Sequence, residues 1–343
     1  MASRRLHLLM PGLFATLSGP DEPERAKELE ILLARAARAS CATDTDELLC
    51  TLFGVALQDG QGAPSAALTR FWDVGVDTPG WWMRADPVYM SADSDRVLMM
   101  GNEFLVITDE EARALMRELE PVFEDLGMQL SAPTPKRWYV QAPHDLGAAW
   151  PSLQAMRGAD IHHALACDAN AQAKLWRRVL NDVQMLLHDS PVNATRAARG
   201  EPPVNSLWFW GAGRLPESPS QRFTQVWSDD VLALGLARLS GTPHAAAPRG
   251  ATAWLAQAAS GEHVVHAHSE ATQQFMDSLN RAWFAPLLAA LKSGALQELS
   301  LYTGNGAAYH VTSKSAARWW KRPRRLVAHQ SHENYSTHAS HRS

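Results

Sequence analysis

The chain has 343 residues, 46% of them hydrophobic and 20% charged, a composition that supports a substantial core and excludes disordered or collagen-like classes. At this length a lone small module is excluded as well, and either two compact domains or one large α/β domain is expected. Lys+Arg 32 against Asp+Glu 36 leaves a net charge of -4, so no global positive field draws the chain to nucleic acid or to an anionic membrane.

Leu6-His7-Leu8-Leu9-Met10, followed by Pro11-Gly12, reads as a short buried strand ending in a tight turn, the usual first step of an α/β sheet. That apolar run is too short for a signal peptide, and no stretch of uncharged apolar residues is long enough to span a bilayer. A cytoplasmic location is expected. Cys41, Cys50 and Cys167 are too few and too scattered for a disulfide framework, which fits a reducing compartment.

Pro23 to Arg38 carries Leu29, Leu32, Leu33 and Ala36 at helical spacing, and Asp44 to Val55 follows a Thr-Asp-Thr-Asp start signal. Residues 58–64 read as a loop. Pro87 to Met90 and Arg96 to Met100 read as strands joined by the turn Ala92-Asp93-Ser94-Asp95. Thr108-Asp109-Glu110-Glu111 is a capping box opening a helix that stops at Gly127, and Arg137 to Gln141 is another strand.

Asp168 to His188 is the longest expected helix, with Leu175, Val179, Val183, Leu186 and Leu187 on one stripe. Ser206 to Trp210 is a strand opening into Gly211-Ala212-Gly213. Val231 to Leu239 is a helix, Glu262 to Ala267 a strand, Glu270 to Ser293 a long helix, and Leu296 to Thr303 and Ala308 to Val311 are closing strands. This alternation from Ser206 onward predicts a mostly parallel sheet with helices on both faces. Trp319 and Trp320 are expected to mark the buried edge of the packed domain, and residues 321–343, rich in Arg, His and Ser, read as a tail.

Among candidate chemistries, Gly211 and Gly213 would let backbone approach a phosphate or would simply form a turn. Arg214 beside them suits an anionic oxygen group. Asn205 would read a ligand or tie a turn by an Asx bond. Trp208 and Trp210 alternate with Leu207 and Phe209 as in a buried central strand. His266 and His268 are the candidate metal ligands, since they would project to one face of a strand, with Glu262 or Glu270 needed to complete the set. Neither Gly-x-Ser-x-Gly nor another framed nucleophile occurs. Lys321-Arg322-Pro323-Arg324-Arg325 after the tryptophan pair is a basic patch suited to phosphate contact or to a charged chain end.

Asn205-Ser206-Leu207-Trp208-Phe209-Trp210-Gly211-Ala212-Gly213-Arg214-Leu215-Pro216, with Gln184 to His188, Pro191-Val192-Asn193 and Arg84 to Val88, resembles the RpfE-type bacterial regulatory proteins. These are related to cofactor-independent phosphoglycerate mutases of the alkaline-phosphatase superfamily, and the resemblance runs from Leu6 to about Pro323. It implies an alkaline-phosphatase-like α/β core over residues 1–69 and 143–320, an inserted α+β subdomain over 70–142 and a tail over 321–343. It also implies a ligand cleft lined by Asn205, Gly211, Gly213 and Arg214, with Arg84 facing it from the insertion.

Three features depart from the enzymes. The first strand ends in Met10-Pro11-Gly12 rather than Asp-Gly; Ser269-Glu270-Ala271 stands where Asp-x-x-x-His is expected; and Tyr302-Thr303-Gly304-Asn305-Gly306 stands where an Asp-His pair is expected. The favoured reading is a non-catalytic regulatory protein with no cofactor, which binds a phosphorylated small molecule or a protein partner and for which neither membrane nor nucleic acid is expected. The alternative is an active 2,3-bisphosphoglycerate-independent phosphoglycerate mutase holding two divalent ions such as manganese or zinc through displaced ligands.

Overall fold

The structure, a computed structural model, is described for residues 3–14, 25–57, 62–93, 96–145, 150–162, 171–267, 275–323 and 325–326. The first segment holds β1 (Arg4–Leu9), α1 (Lys27–Arg35), β2 (Ala37–Ser40) and α2 (Thr45–Phe53). The middle segment holds α3 (Ser65–Val74), β3 (Trp81–Asp93), β4 (Arg96–Gly101), α4 (Asp109–Glu124), β5 (Gln129–Thr134), β6 (Arg137–Ala142), α5 (Leu153–Met156), α6 (Ala171–His188), α7 (Pro191–Ala198) and β7 (Ser206–Gly213). The last begins with β8 (Gln225–Trp227), α8 (Val231–Leu239), β9 (His244–Ala245), α9 (Ala251–Gln257) and β10 (Gly261–His266). It continues through α10 (Phe275–Leu279), a π-helical turn at Asn280–Phe284, α11 (Ala285–Ser293), β11 (Glu298–Tyr302), β12 (Ala307–Thr312) and α12 (Ser313–Ala316).

Two compact units result. One joins the chain up to Gly54 with the chain from Ser218 onward, and the other is Val55–Glu217. The inner unit is therefore wider than the 70–142 insertion expected. The reason is a long-range pairing: β7 lies antiparallel to β3, from Val88 opposite Ser206 to Trp82 opposite Gly213, so it belongs to the inner unit's sheet. Strand-to-helix alternation along the chain cannot reveal such a partner, because it is blind to register.

The outer unit is built on a sheet in the order β2-β12-β11-β1-β10-β8-β9. Its centre is parallel, β1 pairing with β10 and β11, and β8 with β10 and β9. The edge formed by β12 and β2 runs antiparallel, so the closing pair is a hairpin rather than a parallel crossover. Period-two alternation sends Leu6 and Leu8 of β1, with Leu299, Leu301, Val265 and Trp227, into a core closed by Leu29, Leu32, Trp254, Phe284, Leu287 and Leu291. The expected 270–293 helix is interrupted at Asn280, whose side-chain oxygen accepts the Leu29 N–H at 3.2 Å and whose amide donates to Glu28 at 2.6 Å. Pro286, which has no N–H to give, makes that widened turn tolerable.

Trp319 and Trp320 do not form the buried edge: they are 80% and 63% exposed, while Leu326, beyond them, packs into the same core. The packed chain thus continues past residue 321; residues 327–343 of the expected tail lie outside the described residues.

In the inner unit, β4-β3-β6-β5 form the sheet and β7 pairs with β3 on its other side. Phe123, Trp138, Trp176, Val183, Leu207 and Phe209 fill the space between this sheet and α4 and α6. The capping box at Thr108 forms as expected, with the Glu111 N–H donating to the Thr108 hydroxyl at 3.1 Å and the Thr108 N–H donating to the Glu111 carboxylate at 2.9 Å. Pro87 sits inside a 13-residue strand without cost: β6 pairs only with residues 81–84 of β3 and β4 only from Tyr89 on, so the edge it faces needs no N–H there.

Candidate functional site

Open α/β sheets place ligands beyond the carboxyl ends of their parallel strands, which in the outer unit are the ends of β1, β8, β10 and β11. β1 runs into a turn in which Gly12, at φ 76°, donates its N–H to Thr303 O at 3.1 Å. β11 runs into Thr303-Gly304-Asn305-Gly306, where the Asn305 side-chain oxygen accepts from the Thr303 hydroxyl at 2.9 Å and from the Ala307 N–H at 3.2 Å. Both ends are self-satisfied turns without a carboxylate.

After β8, Asp230 caps α8, its Oδ1 accepting the N–H groups of Leu232 and Ala233 at 3.0 Å each. The buried imidazole of His266, the last residue of β10, stands with Nδ1 3.9 Å from that oxygen. His268 lies outside the described residues. His263 faces the opposite side, where the Trp227 indole N–H donates to its Nδ1 at 3.4 Å and its Nε2 contacts Ala259 O at 3.0 Å.

Among the described residues, one carboxylate and one imidazole thus converge at this edge, and no group of three His, Cys, Asp or Glu suited to a metal occurs. A two-metal phosphoryl-transfer centre needs several ligands on each ion. The donor set of the described residues does not fit two ions.

The sheet face opposite Leu6 and Leu8 holds a polar chain that sequence reading missed. In register, His7 stands opposite Val264 and Ser300, so His7, Glu262, Ser300 and Tyr302 project to one face. Glu262 Oε1 accepts from His7 Nε2 at 2.8 Å, which leaves Nδ1 to accept the Tyr302 hydroxyl at 3.0 Å. Arg222 donates to the same Glu262 oxygen at 2.9 Å, and Ser300 pairs with His310 Nδ1 at 2.8 Å. The available signal was the recurrence of polar residues at every second position: Arg5 and His7, Glu298 and Ser300, and His310.

Burial holds His7 below the usual histidine range despite the pull of Glu262. Burial likewise raises the Tyr302 phenol to about 12. Burial alone would raise Glu262, yet His7 and Arg222 prevail and its carboxyl stays below the usual range. The three groups form a relay of phenol, neutral imidazole and carboxylate.

A pH dependence follows. His7 and His263 are both held below their ordinary 6.5, so the unfolded chain binds protons that the folded chain refuses, and stability is lost as pH falls below that value. Glu262, held low, adds to the loss at more acid pH, as pH falls through its folded pKa. Melting temperature is expected to be flat between about pH 7 and 8 and to drop below about 6.5, with a shallower drop in His7→Gln. A variant curve superimposable on wild type would show that His7 is not held neutral.

In the inner unit the structure brings Arg84, Asn205, Gly211 and Gly213 onto the β3–β7 pair but gives each an internal role. Asn205 clamps β3, accepting the Met90 N–H at 2.8 Å and donating to Met90 O at 2.7 Å, which is neither an Asx turn nor an open ligand contact. Gly211 and Gly213 allow α3 to approach, since an added Cβ would stand 2.9 Å from Ser65 Cβ and 2.6 Å from Pro64 Cβ respectively. Arg84 is buried, donating through Nε and Nη2 to Asp86 Oδ1 at 2.9 and 2.8 Å and through Nη1 to Thr69 at 3.3 Å. The Trp210 indole N–H donates to Asp86 Oδ2 at 2.8 Å.

Burial opposes both charges of the pair: it raises Asp86, whereas at Arg84 the Asp86 carboxylate prevails and keeps the guanidinium protonated. Next to it, Asp73 accepts both arms of Arg137 at 2.7 and 2.9 Å and the Tyr139 hydroxyl at 2.7 Å. Only Arg214 of the five expected residues is exposed, its guanidinium 5.9 Å from the Trp81 ring centre.

No family model and no curated protein matches the chain. Among solved structures it is similar to the PH0037 protein from Pyrococcus horikoshii, at 12% identity over 91% of this chain and 88% of that one, with a TM-score of 0.50. It is also similar to a cofactor-independent phosphoglycerate mutase from Thermoplasma acidophilum DSM 1728, at 17% identity over 91% of this chain and 89% of that one, with a TM-score of 0.43. The Pyrococcus likeness is one of fold. It accords with the mixed α/β architecture above, a large sheet with helices.

Proposed function

We propose that this chain is a phosphoglycerate-mutase-like bacterial regulatory protein that binds rather than turns over its ligand. The observation supporting this is the donor set that the described residues place at the carboxyl edge of the parallel strands: Met10-Pro11-Gly12 after β1, Thr303-Gly304-Asn305 after β11, and one Asp230–His266 pair whose carboxylate already caps a helix. Two-metal clamping of an attacking and a leaving oxygen needs more carboxylate and imidazole ligands than these. The RpfE-type wording around Asn205 to Pro216 agrees with a regulatory role, and no cofactor is assigned to the chain.

The proposed ligand is a phosphorylated small molecule, with a protein partner as the other reading; the cation available to meet it is Arg214. Protein purified without chelator is expected to carry manganese and zinc well below one ion per chain and to show no turnover of 3-phosphoglycerate with added Mn²⁺. Near-stoichiometric metal together with turnover would establish the mutase instead. In the same preparation, 3-phosphoglycerate or another phosphorylated metabolite should raise the melting temperature of wild type and not of Arg214→Ala, since a ligand that binds only the native state stabilises it. If none protects wild type, the ligand is a protein.

A further inference from the structure

We infer that the segment 317–323 of the outer unit is a docking surface for an anionic lipid surface. Trp319 is the most exposed large hydrophobic side chain among the described residues, at 80%, and Trp320 beside it is 63% exposed. Other tryptophans of this unit, Trp227, Trp254 and Trp283, are buried. An indole kept in water twice over is an unspent apolar surface of the kind that marks interaction sites.

Core residues flank the segment in sequence. Ala316, in α12, and Leu326 are both in the core. The Thr312–Ser315 capping box fixes the entry, and the Trp319 N–H donates to Ala317 O at 2.8 Å. The two indoles are thus presented from the packed unit.

Charge decides the partner's sign. Between Glu298 and Glu333 the chain contains no Asp or Glu but six cations: Lys314, Arg318, Lys321, Arg322, Arg324 and Arg325. Arg318 and Arg322 are exposed and Lys321 half-buried, and no acidic side chain among the described residues pairs with any of these three. The net charge of -4 averages this local excess away.

Ring geometry decides the class. The two indoles are T-shaped, with centres 6.2 Å apart and planes at 85°, so they do not present parallel faces to successive bases as single-stranded nucleic-acid sites do. Insertion at a bilayer surface asks only that the rings reach the headgroup level while neighbouring Lys and Arg meet lipid phosphates. No helix among the described residues is long and apolar enough to cross a membrane, so the contact is peripheral.

The test is co-sedimentation of the full chain with vesicles of equal parts phosphatidylglycerol and phosphatidylcholine, against vesicles of phosphatidylcholine alone. Binding is expected to the first only, to weaken with salt, and to fall about tenfold in both Trp319→Ala/Trp320→Ala and Lys321→Glu/Arg322→Glu. The melting temperature of the tryptophan double variant should match wild type because the rings are exposed. The inference is overturned by equal or absent binding to both vesicle types, by variants that bind as wild type, or by a melting temperature lowered by the tryptophan changes. Tighter binding to a single-stranded oligonucleotide than to the anionic vesicles would overturn it in favour of nucleic acid.

Discussion

Replacing Asp86 by Ala is expected to destabilise the protein by about 3–5 kcal/mol, because it leaves the Arg84 guanidinium buried without its counter-charge. Arg84 is only 6% exposed and Asp86 1%, so neither can turn to water without opening the β3–β7 pair. The Trp210 indole would lose its acceptor as well. A double change, Arg84→Met with Asp86→Leu, removes both charges together and should cost less than Asp86→Ala alone, since the penalty lies in an uncompensated ion rather than in a lost attraction. Asp86→Asn should fall between, keeping an acceptor while losing the charge. Denaturant unfolding of the four proteins decides it. If the double variant is the least stable, the pair is held for its attraction rather than for charge balance.

Gly211→Ala is the second large effect. At φ 65° an L side chain is strained, and its Cβ would stand 2.9 Å from Ser65 Cβ, against the first turn of α3. Left-handed strain of about 1–2 kcal/mol and overpacking of about 1–3 kcal/mol together predict a loss of several kcal/mol. Gly213→Ala meets Pro64 Cβ at 2.6 Å without the conformational strain, so it should lose less. Thermal unfolding without any ligand is the measurement. Were the glycines there only to admit a phosphate, both variants would melt like wild type and differ solely in ligand protection.

The residue order alone was sufficient wherever the physics is local. The capping box from Thr108 to Glu111, the start of α2 at Asp44, the span of α8 from Val231 to Leu239 and the turn after β1 all appear as expected, because each depends on hydrogen bonds between residues a few positions apart. The amphipathic stripe of α6 was legible for the same reason at Val179, Val183 and Leu187, which are buried, but not at Leu186, which is 40% exposed.

What only the tertiary structure decided was each residue's distant partner. The alternation from Ser206 onward predicts β7 as part of the mostly parallel sheet, whereas its register with Val88 to Trp82 makes it an antiparallel partner of β3. Asn205, expected at a ligand or in a turn, spends both its amide groups on Met90, 115 positions away in sequence. His7 sits in an apolar run, and beyond its alternation with Arg5 its chemistry was set only when β10 and β11 brought Glu262 and Tyr302 to its two ring nitrogens. Trp319 and Trp320 are apolar enough to be assigned to a core, yet the core closes over Ala316 and Leu326 and leaves them in water. Helical periodicity, caps and turns are written in short-range geometry, whereas pairing, burial and charge environment depend on contacts whose loop-closure entropy is offset only when the whole sheet assembles.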